Sequence, residues 1–349
     1  MTQLTPRVWR VLGQNPGVYT LQGTNTYLVG TGAARILVDT GEGRHEYVGV
    51  LREAMRQCGA AEIAVIVITH YHDDHIGGLE DVCREFRVGR VLKMASPKHD
   101  GAALTRRLTG SLEHGDVVSV EGATLRAIHA PGHTQEHLSY YLVEEGTIFA
   151  GDVVLGGSTP VFEDLGQYIR SVRLLGRECR MAKLDKSLKQ AGRMYPSHGE
   201  RIVDGEDECN LYVMGRAMRE HQVLDALHKK PLLTTWDITE HAYGDTLPLP
   251  NKLAACQLML LHVRRLEEAG AARCVKTFSG AGLALTGQDR GHWDRWELTS
   301  SGLDFAKRDF SFNGDFPVPF VDIARGGSGV GGGAPGYNRQ TTAKGGVHK

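Results

Sequence analysis

Apolar residues in the first two hundred positions follow strand and helix spacings in turn. The run Ala64-Val65-Ile66-Val67-Ile68 is apolar without a break, rich in β-branched residues and too short for a typical helix, which predicts a strand buried on both faces. Shorter apolar runs bounded by turn residues predict strands at 26–29, 36–38, 123–128, 138–143 and 147–150. Apolar steps of three and four predict helices over 47–55, over 79–86 and from Leu165 onward. Together these elements predict an α/β fold.

The pattern changes after about residue 205. Helical spacing predicts helices at 209–228 and 235–243, and a third helix that carries Leu253, Cys256, Leu260, Val263 and Leu266 on one face and ends at Gly270. β-prone segments at 273–278 and 293–299 enclose a glycine-rich loop, and helices followed by such a two-stranded wing are typical of a winged-helix module. From Gly326 the chain is too rich in glycine to bury apolar surface, which predicts disorder. We therefore expect a catalytic domain at 1–205, a helical, winged-helix-like domain at 206–310 and a disordered tail at 311–349.

The net charge of the chain gives little information about its partners. The sequence has 40 basic and 41 acidic side chains, so composition indicates neither nucleic acid nor a membrane, although a local basic groove stays open. No apolar run approaches the ~18–20 residues of a membrane span, and the amino terminus has no apolar signal segment. We expect an intracellular protein of the cytoplasm or the mitochondrial matrix, with no membrane partner.

The strongest chemical signal follows the buried strand at 64–68. The segment His70-Tyr71-His72-Asp73-Asp74-His75 places three imidazoles and the carboxylate of Asp74 in H-x-H-x-D-H order. Imidazole nitrogens and carboxylate oxygens are the ligands that zinc prefers, and manganese and iron accept them as well. His70 and His72 share a face in an extended chain, whereas a turn at Asp74 directs Asp74 and His75 to a second position. The spacing predicts a metal site.

Three further ligand-type residues follow later strands. His133 lies in Ala130-Pro131-Gly132-His133, Asp152 follows Phe149-Ala150-Gly151, and His198 lies in Tyr195-Pro196-Ser197-His198. A single histidine after a glycine is weak evidence, because most such residues belong to ordinary loops. In this order, and after an H-x-H-x-D-H motif, the three residues strengthen the prediction of a metal centre.

These motifs resemble those of the metallo-β-lactamase superfamily. The resemblance implies an αββα sandwich with two zinc ions, or Mn²⁺ or Fe²⁺ in their place. It implies that one metal binds His70, His72 and His133, that the other binds Asp74, His75 and His198, and that Asp152 bridges them. It also implies that Asp39 and His137 support the ligands from outside. Two metals a few ångströms apart lower the pKa of a shared water and polarise the bond to be cleaved, with Asp74 as a catalytic group that orients the water.

The segments Leu21–Gly32, Glu121–Arg126 and Val161–Leu165 resemble the β-lactamase-like protein 2 family more closely. That resemblance implies an endoribonuclease that cleaves single-stranded RNA. Lys252, Arg264 and Arg265 are candidate phosphate contacts of such an enzyme, and the alternative of equal weight is a solvated helix face beside Glu267 and Glu268. A related branch implies the alternative of a thioesterase acting on acyl-carrier protein or small acyl thioesters. The third alternative, a nucleic-acid- or protein-binding module with a vestigial metal site, is disfavoured because all seven ligand positions hold competent residues.

Overall fold

In the computed structural model the described residues are 1–244, 247–276 and 294–301. The first sheet has seven strands in sequence order: β1 (Thr2–Gln3), β2 (Val8–Leu12), β3 (Asn25–Val29), β4 (Ala34–Val38), β5 (Glu62–Val67), β6 (Val88–Lys93) and β7 (Gly110–Ser111). Strands β1 to β4 pair antiparallel, and β4 to β7 pair parallel. Strand β5 therefore lies between two parallel neighbours, as its unbroken apolar sequence predicts.

The second sheet has five strands in the order β12, β11, β10, β9, β8. Their bounds are β8 (Val117–Val120), β9 (Ala123–His129), β10 (Leu138–Leu142), β11 (Thr147–Gly151) and β12 (Met194–Pro196). The strands pair antiparallel except for β11 and β12, which are parallel. The helices of this part of the chain are α1 (His45–Cys58), α2 (Asp73–Ile76), α3 (Leu79–Glu85), α4 (Ala102–Arg107) and α5 (Leu165–Ala182).

The two sheets face each other and are covered by helices on their outer faces. Tyr27 and Val38 of the first sheet share a buried cluster with Leu125, Tyr140 and Phe149 of the second. A second buried cluster joins the outer face of the first sheet to α1 and α3, and a third joins the second sheet to α5. These four layers are the αββα sandwich that the sequence predicts, and that prediction is confirmed.

The last part of the described chain is built around α6 (Gly205–Lys229), α7 (Thr235–Tyr243) and α8 (Leu249–Glu268). A small sheet in the order β13 (Leu233–Thr234), β15 (Arg295–Leu298), β14 (Ala272–Lys276) accompanies them, and β14 and β15 pair antiparallel, as expected for a wing. Helix α6 spans two cores, because Cys209 and Tyr212 pack in the cluster of α5 whereas Val223 and Leu227 pack with α8. The boundary at residue 205 and those of the tail stay predictions. The glycine-rich tail and the loop between the wing strands lie outside the described residues.

Sequence reasoning did not predict several strands at or next to the two edges of the first sheet. Strand β6 has the pattern Val-Gly-Arg-Val-Leu-Lys, in which charged residues and a glycine interrupt the apolar alternation. Strand β1 and strand β7 have two residues each, and β2 carries Trp9 and Arg10 at partly exposed positions. Short or half-exposed strands carry weak patterns, because their pairing depends on partners that are distant in sequence.

Candidate metal centre

The seven predicted ligands converge at one end of the sandwich, where each follows the end of a strand. His70, His72, Asp74 and His75 lie on the segment after β5, which includes the short helix α2. The remaining ligands follow β9, β11 and β12. Six of the seven side chains are at least three-quarters buried, and His70 and His75 are fully buried. The ligands thus come from both sheets and meet where the two sheets open.

Three imidazole nitrogens form the first cluster. The Nε2 atom of His70 lies 3.0 Å from Nδ1 of His72, and Nε2 of His133 lies 3.1 Å from both of them. Nitrogens bound to one zinc at 2.0–2.1 Å in tetrahedral geometry lie roughly 3.3 Å apart. The observed triangle is therefore close to the size that a single cation requires.

Two histidines and two carboxylates form the second cluster. Oδ2 of Asp74 lies 3.2 Å from Nε2 of His75 and 3.2 Å from Nε2 of His198. Asp152 lies between the clusters: its Oδ1 is 3.3 Å from Nε2 of His198, and its Oδ2 is 3.6 Å from Nε2 of His133. One carboxylate with an oxygen toward each cluster has the geometry of a bridging ligand.

The second ring nitrogens of His133 and His70 lie next to oxygen atoms that can accept a hydrogen bond. Val161 O lies 2.7 Å from Nδ1 of His133, and Oγ1 of Thr69 lies 3.0 Å from Nδ1 of His70. A neutral imidazole carries one proton, so a proton on Nδ1 leaves Nε2 with a free lone pair. The protein therefore turns the lone pairs of His133 and His70 into the first cluster.

Asp39 and His137 lie next to the predicted ligands and contact them or their backbone. Oδ2 of Asp39 accepts from Oγ1 of Thr69 and from Nδ1 of His75, both at 2.8 Å, and its Oδ1 accepts from the backbone N–H of Thr69 at 2.8 Å. The Nε2 atom of His137 accepts from the backbone N–H of Asp152 at 3.1 Å, and its ring stacks on His70. Because that Nε2 lone pair is already used, His137 orients the site and does not join the ligand clusters.

Burial sets the charge of the ligands. Burial lowers the pKa of His70 well below its usual value, and it lowers the pKa of His72 to about 4, with help from the nearby histidines. Burial alone would raise the pKa of Asp152, but His198 and His75 outweigh it and hold that pKa well below the usual range. His70 and His72 are therefore neutral and the carboxylate of Asp152 is anionic.

The second cluster attracts positive charge. Burial alone would lower the pKa of His75, but the carboxylates of Asp74, Asp152 and Asp39 raise it well above its usual value. The pKa of His198 behaves alike and rises to about 9, with Asp152 as the main cause that opposes burial. The negative charge of these carboxylates therefore favours a proton or a bound cation at the second cluster.

The donor set fits divalent metal ions. Nε2 of His75 and Oδ1 of Asp152 are buried and have no hydrogen-bond partner, which is costly for polar atoms unless a ligand satisfies them. Nitrogen and oxygen donors lie within 4.8 Å of one another in three groups: His70, His72 and His133; His70, His75 and Asp152; and Asp74, His75 and His198. The structure places every predicted ligand in at least one of these groups.

The metal centre lies at the base of an open cleft of about 630 Å³. Apolar residues form much of the wall, and an exposed aromatic ring, Tyr19, and the guanidinium of Arg44 lie at the rim. No sequence pattern indicated these two residues, because their position depends on how the loops before β3 and α1 fold over the site. Asp74 lines the cleft, where Thr24 Oγ1 donates to its Oδ2 at 3.1 Å.

The basic residues predicted as phosphate contacts lie away from this cleft. The ammonium of Lys252 contacts Glu240 at 2.5 Å and lies over the ring of Trp236, and Arg265 pairs with Glu220. Arg264 is also on α8 and, like them, is absent from the residues that line the cleft. Their role in binding RNA stays a prediction that the cleft geometry does not support.

Comparisons with known proteins agree with the geometry. A model of the metallo-beta-lactamase superfamily matches residues 19–198. A beta-lactamase-like protein 2 homolog of Caenorhabditis elegans is 37% identical over 294 residues, which are 82% of this chain and 94% of the relative. An atrochrysone carboxyl ACP thioesterase of Aspergillus novofumigatus is 34% identical over 77% of this chain and 81% of its own. A beta-lactamase domain protein from Burkholderia ambifaria has a similar fold, with a TM-score of 0.66 at 18% identity over 85% of this chain and 93% of that chain.

Among the described residues, no helix is both long and apolar enough to cross a membrane.

Proposed function

The chain belongs to the metallo-beta-lactamase superfamily, and on that premise we propose that it is a hydrolase with a dinuclear metal site that cleaves single-stranded RNA. The observation that most supports the hydrolase assignment is the position of Asp152, whose two carboxylate oxygens lie toward two separate ligand clusters. Two divalent ions, most simply zinc, would supply a water with its pKa lowered towards ~7 and positive charge opposite the oxygen that becomes negative.

The side chains of this chain position the reactants. The carboxylate of Asp74 is anionic, because nearby imidazoles hold its pKa far below the usual range against the opposing effect of burial. The hydroxyl of Thr24 donates to Oδ2 of Asp74, so this carboxylate is fixed at the cleft floor and can accept a hydrogen bond from the attacking water. Asp39 and Thr69 keep the imidazoles of His70 and His75 in one orientation throughout the reaction.

RNA as the substrate is supported by the cleft rim. Tyr19 is 61% exposed and lines the cleft, so its ring is available to stack on an unpaired base. The guanidinium of Arg44 is paired only with the half-exposed Glu42 at 3.2 Å, and an exposed ion pair of this kind is weak enough for a phosphate to displace it. The match to the C. elegans beta-lactamase-like protein 2 homolog covers 94% of that protein, so the similarity includes the α6–α8 region as well as the metal-binding part.

Thioester hydrolysis is the second candidate, and two observations favour it. Pro16, Val18, Leu155, Pro160 and Val161 give the cleft an apolar wall that suits an acyl chain, and Arg44 is the lone basic side chain, apart from the histidines, among the described residues that line it. Relatives named as acyl-carrier-protein thioesterases are 34–38% identical to the chain. In this reaction water adds to the thioester carbonyl, the carbon–sulfur bond breaks, and an acid and a free thiol leave.

One experiment separates the two substrates. Zinc-loaded protein is incubated with an end-labelled single-stranded RNA and, in parallel, with acyl thioesters whose free thiol is titrated. We expect RNA cleavage that Asp152→Ala abolishes and that Tyr19→Ala reduces several-fold, mainly in KM. The neighbouring exposed residue Val18 provides the matched control, since Val18→Ala leaves the stacking ring in place. If the thioesters release thiol while the RNA stays intact, the proposed substrate changes from RNA to a thioester. If protein of confirmed metal content catalyses neither reaction, both assignments are refuted.

A further inference from the structure

A second cavity, of about 210 Å³, lies beside the metal cleft between α6 and α8. Thr159 lines both spaces, so the cavity and the cleft share a wall. Most of the remaining wall is apolar, and it includes three methionines and two leucines: Met214, Met218, Met259, Leu211 and Leu258. Methionine side chains adapt to ligands of irregular shape.

Two buried nitrogen atoms in the cavity wall, one of Arg216 and one of His262, have no hydrogen-bond partner among the described residues. Arg216 is 8% exposed, and its Nη2 has no hydrogen-bond acceptor among the described residues. His262 is 1% exposed, and its Nδ1 is also without a partner there. Burial, and then the charge of Arg216, lower the pKa of His262 well below its usual value, so this ring is neutral. Buried polar atoms are normally hydrogen-bonded, and an unpaired buried cation is expensive.

The guanidinium of Arg216 is held in place by aromatic rings. Its Cζ lies 4.8 Å from the ring centroid of Phe162 and 5.7 Å from that of Tyr168. Cation–π contacts stabilise the charge, but they supply no hydrogen-bond acceptor for Nη2, which lies in the plane of the guanidinium. By contrast, the fully buried Lys93 is paired with Asp100 at 2.8 Å.

The cavity wall is positive as well as apolar. It contains two guanidinium groups, Arg216 and Arg219, and no aspartate or glutamate among the described residues that line it. A neutral apolar ligand would leave Arg216 unpaired, and a bare inorganic anion would leave the methionine wall in contact with water. A carboxylate on an apolar body satisfies both requirements, because an arginine binds a carboxylate with two parallel hydrogen bonds.

We propose that this cavity is a binding site for an organic acid, with the carboxylate on Arg216 and the apolar body against Met214, Met218 and Met259. The site is distinct from the metal centre and goes beyond the proposed hydrolase. Because its wall includes Thr159, a bound acid lies next to the substrate cleft.

The test uses octanoate and its neutral isostere octanamide with the full-length protein. Spectra of ¹³C-methyl-labelled methionine report the location, because three of the eight methionines line the cavity and Met55 in α1 serves as a remote reference. We expect octanoate to shift the signals of Met214, Met218 and Met259 and to bind at least tenfold more tightly than octanamide. Acetate at the same concentration is not expected to displace octanoate. This control excludes octanoate binding that depends only on its carboxylate contacting the metals.

Two variants make the assignment specific. Arg216→Gln is expected to weaken octanoate at least tenfold while it leaves octanamide within about twofold, and Arg216→Lys is expected to restore part of the difference. Met218→Trp fills the cavity from its exposed edge and is expected to weaken both ligands, with the Met55 signal unchanged as the check on folding. Equal affinity for the two ligands, shifts outside the cavity, or octanoate binding unchanged in Arg216→Gln would each overturn the proposal.

Discussion

Replacing Asp39 by asparagine tests whether the buried network behind the ligands sets metal affinity. The carboxylate is 1% exposed and accepts three hydrogen bonds, two from Thr69 and one from Nδ1 of His75, each at 2.8 Å. An asparagine has a single acceptor oxygen, so in either orientation its NH₂ group faces a donor. If the NH₂ faces His75, the ring must accept on Nδ1 and carry its proton on Nε2, which lies toward Asp74 and His198.

The expected loss follows from the hydrogen bond that Asn cannot accept. A hydrogen bond to a charged group contributes about 1.5–3 kcal/mol, and each ~1.4 kcal/mol corresponds to a tenfold change in affinity. The substitution should therefore weaken the metal at the His75 cluster roughly 10- to 100-fold, which is also the range typical of partners that orient metal ligands. The metal held by His70, His72 and His133 should lose less, because Asp39 reaches that cluster only through Thr69.

The assay is zinc titration of metal-free protein in competition with a chromophoric chelator, which resolves two stepwise affinities. Asp81→Asn is the matched control, because the Asp81 carboxylate forms an exposed pair with Arg84 on α3 and should leave both affinities unchanged. Circular dichroism checks that Asp39→Asn is folded. Two zinc affinities within threefold of the wild type in folded Asp39→Asn protein would show that the network does not orient His75.

Three further predictions concern stability. Gly151→Ala should lower the free energy of unfolding by more than the roughly 1–2 kcal/mol that a left-handed backbone alone costs an alanine, because the new Cβ would lie 2.4 Å from Nε2 of His137. Gly59 also has a positive φ, but a Cβ there would meet no atom within 4 Å, so Gly59→Ala is the control. Both variants are measured by urea titration of the metal-free protein. Tyr140→Phe removes the donor to Ile68 O at 2.7 Å and should cost about 1–3 kcal/mol in the same titrations; an unchanged midpoint would show that this carbonyl needs no partner. Chelation of the metals should lower the thermal midpoint of unfolding and zinc should restore it, since a ligand at a thousandfold excess over its Kd stabilises the folded state by about 4 kcal/mol. An unchanged midpoint in differential scanning fluorimetry would contradict a metal centre in the folded protein.

Much of the site could be predicted because its chemistry is local in sequence. The motif His70-x-His72-x-Asp74-His75 follows one buried strand, and alternate side chains on an extended segment share a face. The apolar run of β5 and the helical spacing of α5 likewise depend on neighbouring residues, so both elements were predicted within a few positions. The αββα arrangement was inferred from the resemblance of these motifs to a known superfamily rather than from the pattern alone.

The remaining features depend on contacts between residues far apart in the chain. The 3.1 Å approach of His133 to His70 and the position of Asp152 between two clusters exist because the two sheets face each other. The role of Thr69, which links Asp39 to His70, had no signal beyond a hydroxyl next to a histidine.

By itself the sequence determined which donor atoms were present and which of the most regular segments were strands or helices, because residue type and periodicity act over a few residues. Only the tertiary structure decided the distances between donors, the exposure of Tyr19 at the cleft and the lack of a hydrogen-bond partner for Nη2 of Arg216 in the second cavity. It also placed Lys252 and Arg265, the candidate phosphate contacts, against carboxylates and outside the lining of the cleft. The physical reason is that burial and pairing of a charge depend on groups brought close by packing, which no local pattern encodes.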